Sequence, residues 1–528
     1  MHTADTILTA RPRRRGNARA AKLAARNSNA EPTASVVKSG QAGGKLSPLS
    51  RSDIARIYDT ALDLLENIGM ADATPEVTEL AVMAGCHVDD TGRLRLPRAL
   101  VEDVIAGAAR EYTIHGRDPK HDLQIGKDRV HFSTCGEAVQ TLDLGTRDYR
   151  PSSLRDVYDF ARLADALEHI HMFAQTVISN ELSEDVLLHD TNVAYALLSA
   201  TTKHASMAVM DACSVDDVFA IAHMFAGGEE AFRKRPFFSV GQCPVVSPLK
   251  YGVENSDALV KAIKYGAPVE FAVVPQSGAT GPAALAGNLA LSTAEALAGL
   301  VLVNLVSKGH PASVGNWPFV SDLRTGAFSG GSGEEAIMAA AAAQIINFLD
   351  LPSHTAAGMS DSKLPDAQAG YEKALANTLA GMSGCNLIYE SAGMLGSLMC
   401  CSFEAMVIDN DMLGSIQRSL RGIEVTDETL SFEVIKEAAL GPGHFLGNQQ
   451  TLELMETEYL YPKIANRETY DQWHSSGAKT TREAAADIAK EILENHFPVD
   501  VAPDLDAAVR ARYDIRLTAE VMRPGPRM

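Results

Sequence analysis

PVEFAVVP at residues 268–275, ALAGNLALSTAEALAGLVLVNLVSKG at 284–309 and PASVGNWP at 311–318 form the stretch that decides the fold. A short β-leaning run between prolines leads into a helix-length apolar stretch, and a second short run closes on Gly-Asn-Trp-Pro. Parallel strands need a crossover of a dozen or more residues, commonly a helix, so this reads as one strand–helix–strand unit. Outward from it the unit repeats. Similar short runs are VHFSTCG (130–136), IHMFAQTV (170–177), HASMAVMD (204–211), PFFSVGQC (236–243), SHTAAGMS (353–360) and CNLIYESAG (385–393), with helix-length stretches between them. Eight such runs predict an α/β protein with a TIM-type (β/α)8 barrel, and a doubly wound open sheet is the alternative.

The flanks divide the chain further. Residues 1–50 read as a disordered basic arm, since 1–51 hold ten Lys or Arg against two acids in a setting rich in Ala, Ser, Asn and Gly. Residues 51–130 read as an N-terminal helical cap with short strands; SDIARIYDTALDLLENIG (52–69) keeps its apolar residues on one face, with Ser52 and Asp53 before it and Gly69 after it. The barrel is expected over 131–440 and a C-terminal helical extension over 441–528.

Composition excludes several classes of function. At 528 residues and 46% hydrophobic the chain buries a large core, and its formal net charge of -20 opposes nucleic-acid binding. No run of 18 apolar residues lacks polar interruption, so no membrane span is expected, and the chain is read as cytoplasmic. Its seven cysteines are scattered without a C-x-x-C pair, which suits a reducing compartment and argues against a disulfide scaffold or a thiolate zinc site. The pair of histidines in HIH (169–171) has no third ligand at metal-site spacing, and no metal site is expected.

In a barrel of this type the chemistry stands where strands end and their loops begin. The candidate positions are Cys135, Gly136, Glu137, Ser179, Asn180, Glu181, Asp211, Gln242, Cys243, Gln276, Ser277, Asn316, Trp317, Phe319, Ser360, Asp361, Lys363, Tyr389, Glu390 and Ser391. Trp317, Phe319 and Tyr389 either fill the barrel mouth or present ring faces to a cation that has no hydrogen bond to donate. FSGGSGEE (328–335), with Gly330 and Gly331, offers backbone amides at a helix start. SGATGPAALAG (277–287), with Ser277 and Gly278, is a flexible turn able to lie close to a large planar ligand. Neither carries a phosphate-loop or dinucleotide fingerprint, and there is no G-x-S-x-G elbow.

RTGAFSGGSGEEA (324–336), LPSHTAAGMSDSKLPDAQAGYEKA (351–374), SAGMLGS (391–397), MVIDNDMLG (406–414), GPGHFLGNQQTL (441–452) and YDQW (470–473), in this order, resemble the signature segments of the trimethylamine methyltransferase superfamily over roughly residues 50–515. The resemblance implies a TIM-type barrel that moves a methyl group from an amine nitrogen to cobalt(I) of a corrinoid carried by a small partner protein, with no tightly bound cofactor in this chain. The archaeal trimethylamine enzymes carry pyrrolysine; this chain has only the twenty ordinary residue types. It therefore resembles the non-pyrrolysine branch, which implies a quaternary amine substrate, glycine betaine or a related betaine. Trimethylamine or another methylamine is the alternative within that chemistry. A metal-dependent barrel lyase or hydrolase and a non-catalytic amine-binding protein are the readings outside it. On this resemblance Trp317, Phe319 and Tyr389 line the methylammonium pocket, Asp361 and Glu390 supply catalytic field, and Lys363 or Gln368 orients a substrate carboxylate. Gly330, Gly331, Ser277 and Gly278 face the corrinoid. A homo-oligomer is a further expectation for a barrel with apolar helix faces.

Overall fold

The computed structural model describes residues 36–523. Eight parallel strands follow one another around the sheet: β1 (Arg129–Thr134), β2 (Phe173–Ala174), β3 (Ala205–Met207), β4 (Phe238–Gln242), β5 (Val269–Val273), β6 (Ala312–Asn316), β7 (Ser353–Ala356) and β8 (Leu387–Ala392). Every neighbouring pair from β2 to β8 is parallel, as is β8 with β1. The parallel bridge from Ser133 to Met172 joins β1 to β2 and closes the ring, so the expected barrel is present. In the deciding stretch, Val269 through Val273 pair in register with Ala312 through Asn316.

After each strand comes a helix: α1 (Leu154–Ala166), α2 (Val186–Ala200), α3 (Val215–Ala226), α4 (Val253–Lys264), α5 (Leu285–Val306), α6 (Gly333–Phe348), α7 (Ala367–Met382) and α8 (Phe403–Arg421). Their starts are set locally. Ser153 and Asp156 form a reciprocal capping box at α1, while Ser332, Asp366 and Ser402 accept the backbone N–H of Glu335, Ala369 and Ala405 at α6, α7 and α8. Helix α5 is apolar on nearly every face because the cap helix Arg51–Asn67 packs against it from outside and the strands from inside. By length and composition it could cross a membrane, but 83% of its most apolar window is buried in the fold.

The N-terminal region adds helices Arg51–Asn67, Pro75–Met83 and Arg98–Gly107 and an antiparallel hairpin, Glu111–Ile114 with Leu123–Gly126. Tyr112, Ile114, Leu123 and Ile125 of the hairpin pack with Met172, Leu387 and Tyr389, which plugs the end of the barrel where its strands begin. Of the 1–50 arm, residues 1–35 lie outside the described residues; Gln41 and Ala42 pair antiparallel with Val130 and Arg129.

Towards the C-terminus, helix Thr481–Asn495 packs on α8 and α1. Arg162 of α1, fully buried, donates to the carbonyls of His496 and Leu493, ion-pairs with Asp159 at 2.8 Å and lies 3.7 Å from the centre of the Phe497 ring. Residues 424–460 belong to a separate compact unit with short helices Phe432–Leu440 and Gln449–Leu454, and the expected boundary at residue 440 falls inside it. Its Phe432, Leu440 and Leu446 are exposed.

Candidate functional site

Seven of the eight strand ends and the loops after them surround a cavity of about 460 Å³. One side is aromatic. Trp317, just past β6, has its ring centroid 5.6 Å from Tyr389 on β8 and 6.2 Å from Phe319. The indole is held by a hydrogen bond that fixes a tautomer. His354 on β7 donates from Nε2 to the Phe271 carbonyl at 2.9 Å, so its bare Nδ1 accepts the Trp317 Nε1–H at 3.2 Å. Burial lowers the His354 pKa to about 4, which keeps the ring neutral in that role. A glycine makes room for this: a Cβ on Gly315 of β6 would lie 2.4 Å from the His354 ring and from the Phe271 carbonyl oxygen.

The other side is acidic. Glu270 of β5 is 2% exposed, and its Oε2 lies 3.1 Å from Ser206 Oγ and 2.8 Å from Ser239 Oγ. Its Oε1 has no protein partner. Loss of solvent pushes this carboxyl up to about 7 against the pull of the two hydroxyls. His204 Nδ1 donates to the His115 carbonyl at 2.8 Å and its Nε2 lies 2.8 Å from Ser239 Oγ, so the Ser239 hydroxyl bridges the imidazole and the Glu270 carboxyl.

Glu390 sits in β8 where the register with β1 shifts between Ile388 and Ala392, and its backbone is left-handed at φ 62°. Such a bulge re-aims a side chain at the cost of local strain. Glu390 Oε1 accepts the Gly136 N–H at 3.0 Å, its Oε2 is unpartnered, and burial pushes the carboxyl to about 8. Glu137, also left-handed at φ 46°, accepts the Ala208 N–H at 3.2 Å. It is exposed to the cavity yet surrounded by protein atoms, and the lost bulk solvent raises its carboxyl as well. No lysine or arginine lines the cavity.

Three carboxyl groups with no lysine or arginine among the lining residues, facing three aromatic rings, suit a cation that cannot donate conventional hydrogen bonds. Rings attract such a charge through their quadrupoles, and unpartnered oxygens meet the polarised C–H groups around it. Among the described residues no cluster of His, Cys, Asp and Glu has the makings of a metal site.

The structure brings together Trp317, Phe319, Tyr389 and Glu390 from the expected site set, with Gly136, Glu137, Gln242 and Cys243 from the wider strand-end positions. The others stand outside the cavity. Asp361 accepts from Ser329 Oγ at 2.8 Å, Gly330 N–H at 3.0 Å and Ser397 Oγ at 2.5 Å, tying the loops after β6, β7 and β8 to one another. Lys363 is exposed and donates to the Asp361 carbonyl, and Gln368 on α7 donates to Glu372. Gly330 and Gly331 belong to that same loop junction, where a Cβ on Gly331 would meet the Glu372 carboxylate at 2.4 Å. Ser277 accepts from Asn288 and Gly278 packs under Leu323.

Sequence reasoning missed Glu270, Gln175 and His354. Glu270 carries a signal: a carboxylate inside the otherwise apolar PVEFAVV is expensive to bury without a purpose. Gln175 lies mid-run, and His354 stands near the start of the run SHTAAGMS, away from the strand end where strand-end logic looks.

A hollow of about 720 Å³ adjoins the cavity and shares Val274, Phe319 and Leu398 with it. Asp361 and Lys363 line this outer hollow.

Comparison with known proteins places these features in a family. The model of the trimethylamine methyltransferase (MTTB) family matches residues 13–521. A trimethylamine methyltransferase of Desulfitobacterium hafniense is 33% identical over 482 residues, 90% of this chain and 96% of the relative. A glycine betaine methyltransferase of the same species, strain Y51, is 30% identical over 89% of this chain and 97% of its own. Among solved structures, the monomethylamine methyltransferase of Methanosarcina barkeri aligns over 87% of this chain and 96% of its own at 13% identity, with a TM-score of 0.44. The barrel, the cavity at its strand ends and a family match across nearly the whole sequence converge: the chain is a methyltransferase of the trimethylamine methyltransferase (MTTB) family.

Proposed function

We propose that this protein moves a methyl group from a quaternary amine to a corrinoid carried by a small partner protein. The observation that carries the reading is the cavity's pairing of Trp317, Phe319 and Tyr389 with Glu270, Glu390 and Glu137 in the absence of any lining lysine or arginine. The relatives named for trimethylamine and glycine betaine act on compounds with methylated nitrogens, which supports the class of donor.

Cobalt(I) of the corrinoid supplies the electron pair that takes the methyl carbon, while the C–N bonding pair stays on nitrogen and a quaternary ammonium leaves as a neutral tertiary amine. No proton moves in that exchange, so the protein needs neither a general acid nor a base at the nitrogen. Its residues bind and orient. Trp317, fixed through His354 and the Phe271 carbonyl, holds one ring face steady for the ammonium. Glu270 and Glu390 ionise as the cation enters and return to their protonated forms when the neutral amine leaves, which favours product release. The outer hollow fits a partner-held group because it opens onto the ammonium cavity past Phe319 and Leu398, giving a methyl carbon an exit towards a second protein. A reducing cytoplasmic setting accords with this chemistry and with seven cysteines that are all unpaired.

The test is an assay of the protein with reduced corrinoid and a panel of glycine betaine, proline betaine, carnitine, choline and trimethylamine, following loss of the cobalt(I) absorbance. Turnover with a quaternary amine is expected; no turnover with any of the quaternary amines, whether or not trimethylamine reacts, would end the reading.

A further inference from the structure

The ionisable groups in the cavity go beyond the recognition of a cation and bear on what the rest of the substrate is allowed to be. A betaine carries a carboxylate a few bonds from its ammonium, and a site that accepts it needs donors aimed at that carboxylate. Here the inward-facing donors are all uncharged, and most already have a partner. Gln175 Nε2 donates to the Val177 carbonyl at 3.2 Å and Gln242 Nε2 to the Val209 carbonyl at 3.2 Å. Trp317 Nε1–H goes to His354, and the backbone N–H groups of Gly136 and Ala208 go to Glu390 and Glu137. The groups left open are the neutral second N–H of each glutamine, the Asn255 amide and the Tyr389 hydroxyl, set among the unpartnered oxygens Glu270 Oε1, Gln175 Oε1 and Glu390 Oε2, with no lysine or arginine to hold a carboxylate.

Ser206 and Ser239 both lie on Oε2 of Glu270, so Oε1 is the oxygen left open, and above a pH of about 7 that ionised carboxylate presents only lone pairs to a substrate carboxylate. Resting on the proposed function, we infer that the methyl donor is a quaternary ammonium without a carboxylate: a monocation with a neutral or hydroxylated tail, of the choline class, in preference to a betaine. At the rim the uncharged amide of Asn255 is available to such a tail. Glu390 Oε2 offers a proton to a carboxylate only while that group stays protonated, so the preference widens as the pH rises through about 8.

The experiment compares glycine betaine with its own amide, a cation of nearly the same shape, alongside choline and tetramethylammonium. Calorimetry on the full-length protein at pH 9 gives the affinities, and the cobalt(I) assay gives turnover. Choline and betaine amide are expected to bind at least about tenfold more tightly than glycine betaine, because each ionised glutamate repels the carboxylate and attracts a bare cation. Glu270→Gln is expected to shrink that ratio by weakening the cations more than the betaine. Glycine betaine binding as tightly as its amide, or more tightly, overturns the inference while leaving the quaternary-amine reading standing. If none of the four binds, both fall together.

Discussion

Raising the pH from 6 to 9 is expected to tighten the binding of a simple monocation such as tetramethylammonium by up to about a thousandfold. Burial pushes Glu390 to about 8 and Glu270 to about 7, so both are protonated in the empty cavity through much of the neutral range. A bound cation favours the ionised form. Affinity is therefore lowest below both values and rises as the pH passes through them, with protons released on binding. For a group titrating near 8 the ionised fraction goes from about 1% at pH 6 to roughly 90% at pH 9, a factor of about a hundred; one near 7 contributes a further factor of about ten over the same span, and the two multiply. The other groups around the cation site hold their state or push the same way. Burial keeps His354 neutral, Cys243 a thiol and Tyr389 a phenol, and it shifts Glu137 upward, the same direction as the other two glutamates. Lys373, paired with Asp409 at 2.6 Å, acts on Glu390 through space and pulls against the burial. Calorimetry in two buffers of different ionisation enthalpy reads both the affinity and the protons released. Glu390→Gln is expected to remove the upper part of the profile and Glu270→Gln the lower part. An affinity constant across pH 6–9 with no proton release, or a profile unchanged in both variants, would refute the reasoning.

Three further outcomes are expected. Trp317→Ala should raise the KM for the ammonium by about 5- to 30-fold, as loss of one desolvated cation–ring contact of ~1–2 kcal/mol implies, and a KM like the parent's would reject the ring assignment. Asp361→Asn should lower stability by about 1–3 kcal/mol through the bonds to Ser329, Gly330 and Ser397, seen in denaturant titration, while ammonium affinity moves less than about twofold. A loss of affinity matching that of Glu390→Gln would instead return Asp361 to the binding site. Arg162→Ala should destabilise the protein by about 3 kcal/mol, because Asp159 loses one of its two arginine partners and the carbonyls of Leu493 and His496 lose a buried donor. Limited proteolysis should then cut near 481–497 well before the barrel, and a digestion pattern like the parent's would exclude the pinning role.

The sequence by itself determined the barrel, because eight short runs separated by helix-length stretches leave few other ways to satisfy parallel strands and bury α5. Strand-end logic also found Trp317, Phe319, Tyr389, Glu390, Glu137 and Gln242, since in this architecture position along the chain nearly fixes position at the mouth. Only the tertiary structure decided which polar residues face the cavity. Asp361 and Lys363 stand at the seventh strand end as Glu390 stands at the eighth, yet Asp361 has three loop donors within 3.0 Å while Glu390 keeps an oxygen without a partner. Glu270 and His354 lie within strands, and their roles come from Ser206, Ser239, Phe271 and Trp317, all remote from them in sequence or on other strands. The charge a buried carboxyl carries depends on the solvent it loses and the donors it meets. Both are sums over neighbours that the chain assembles only on folding.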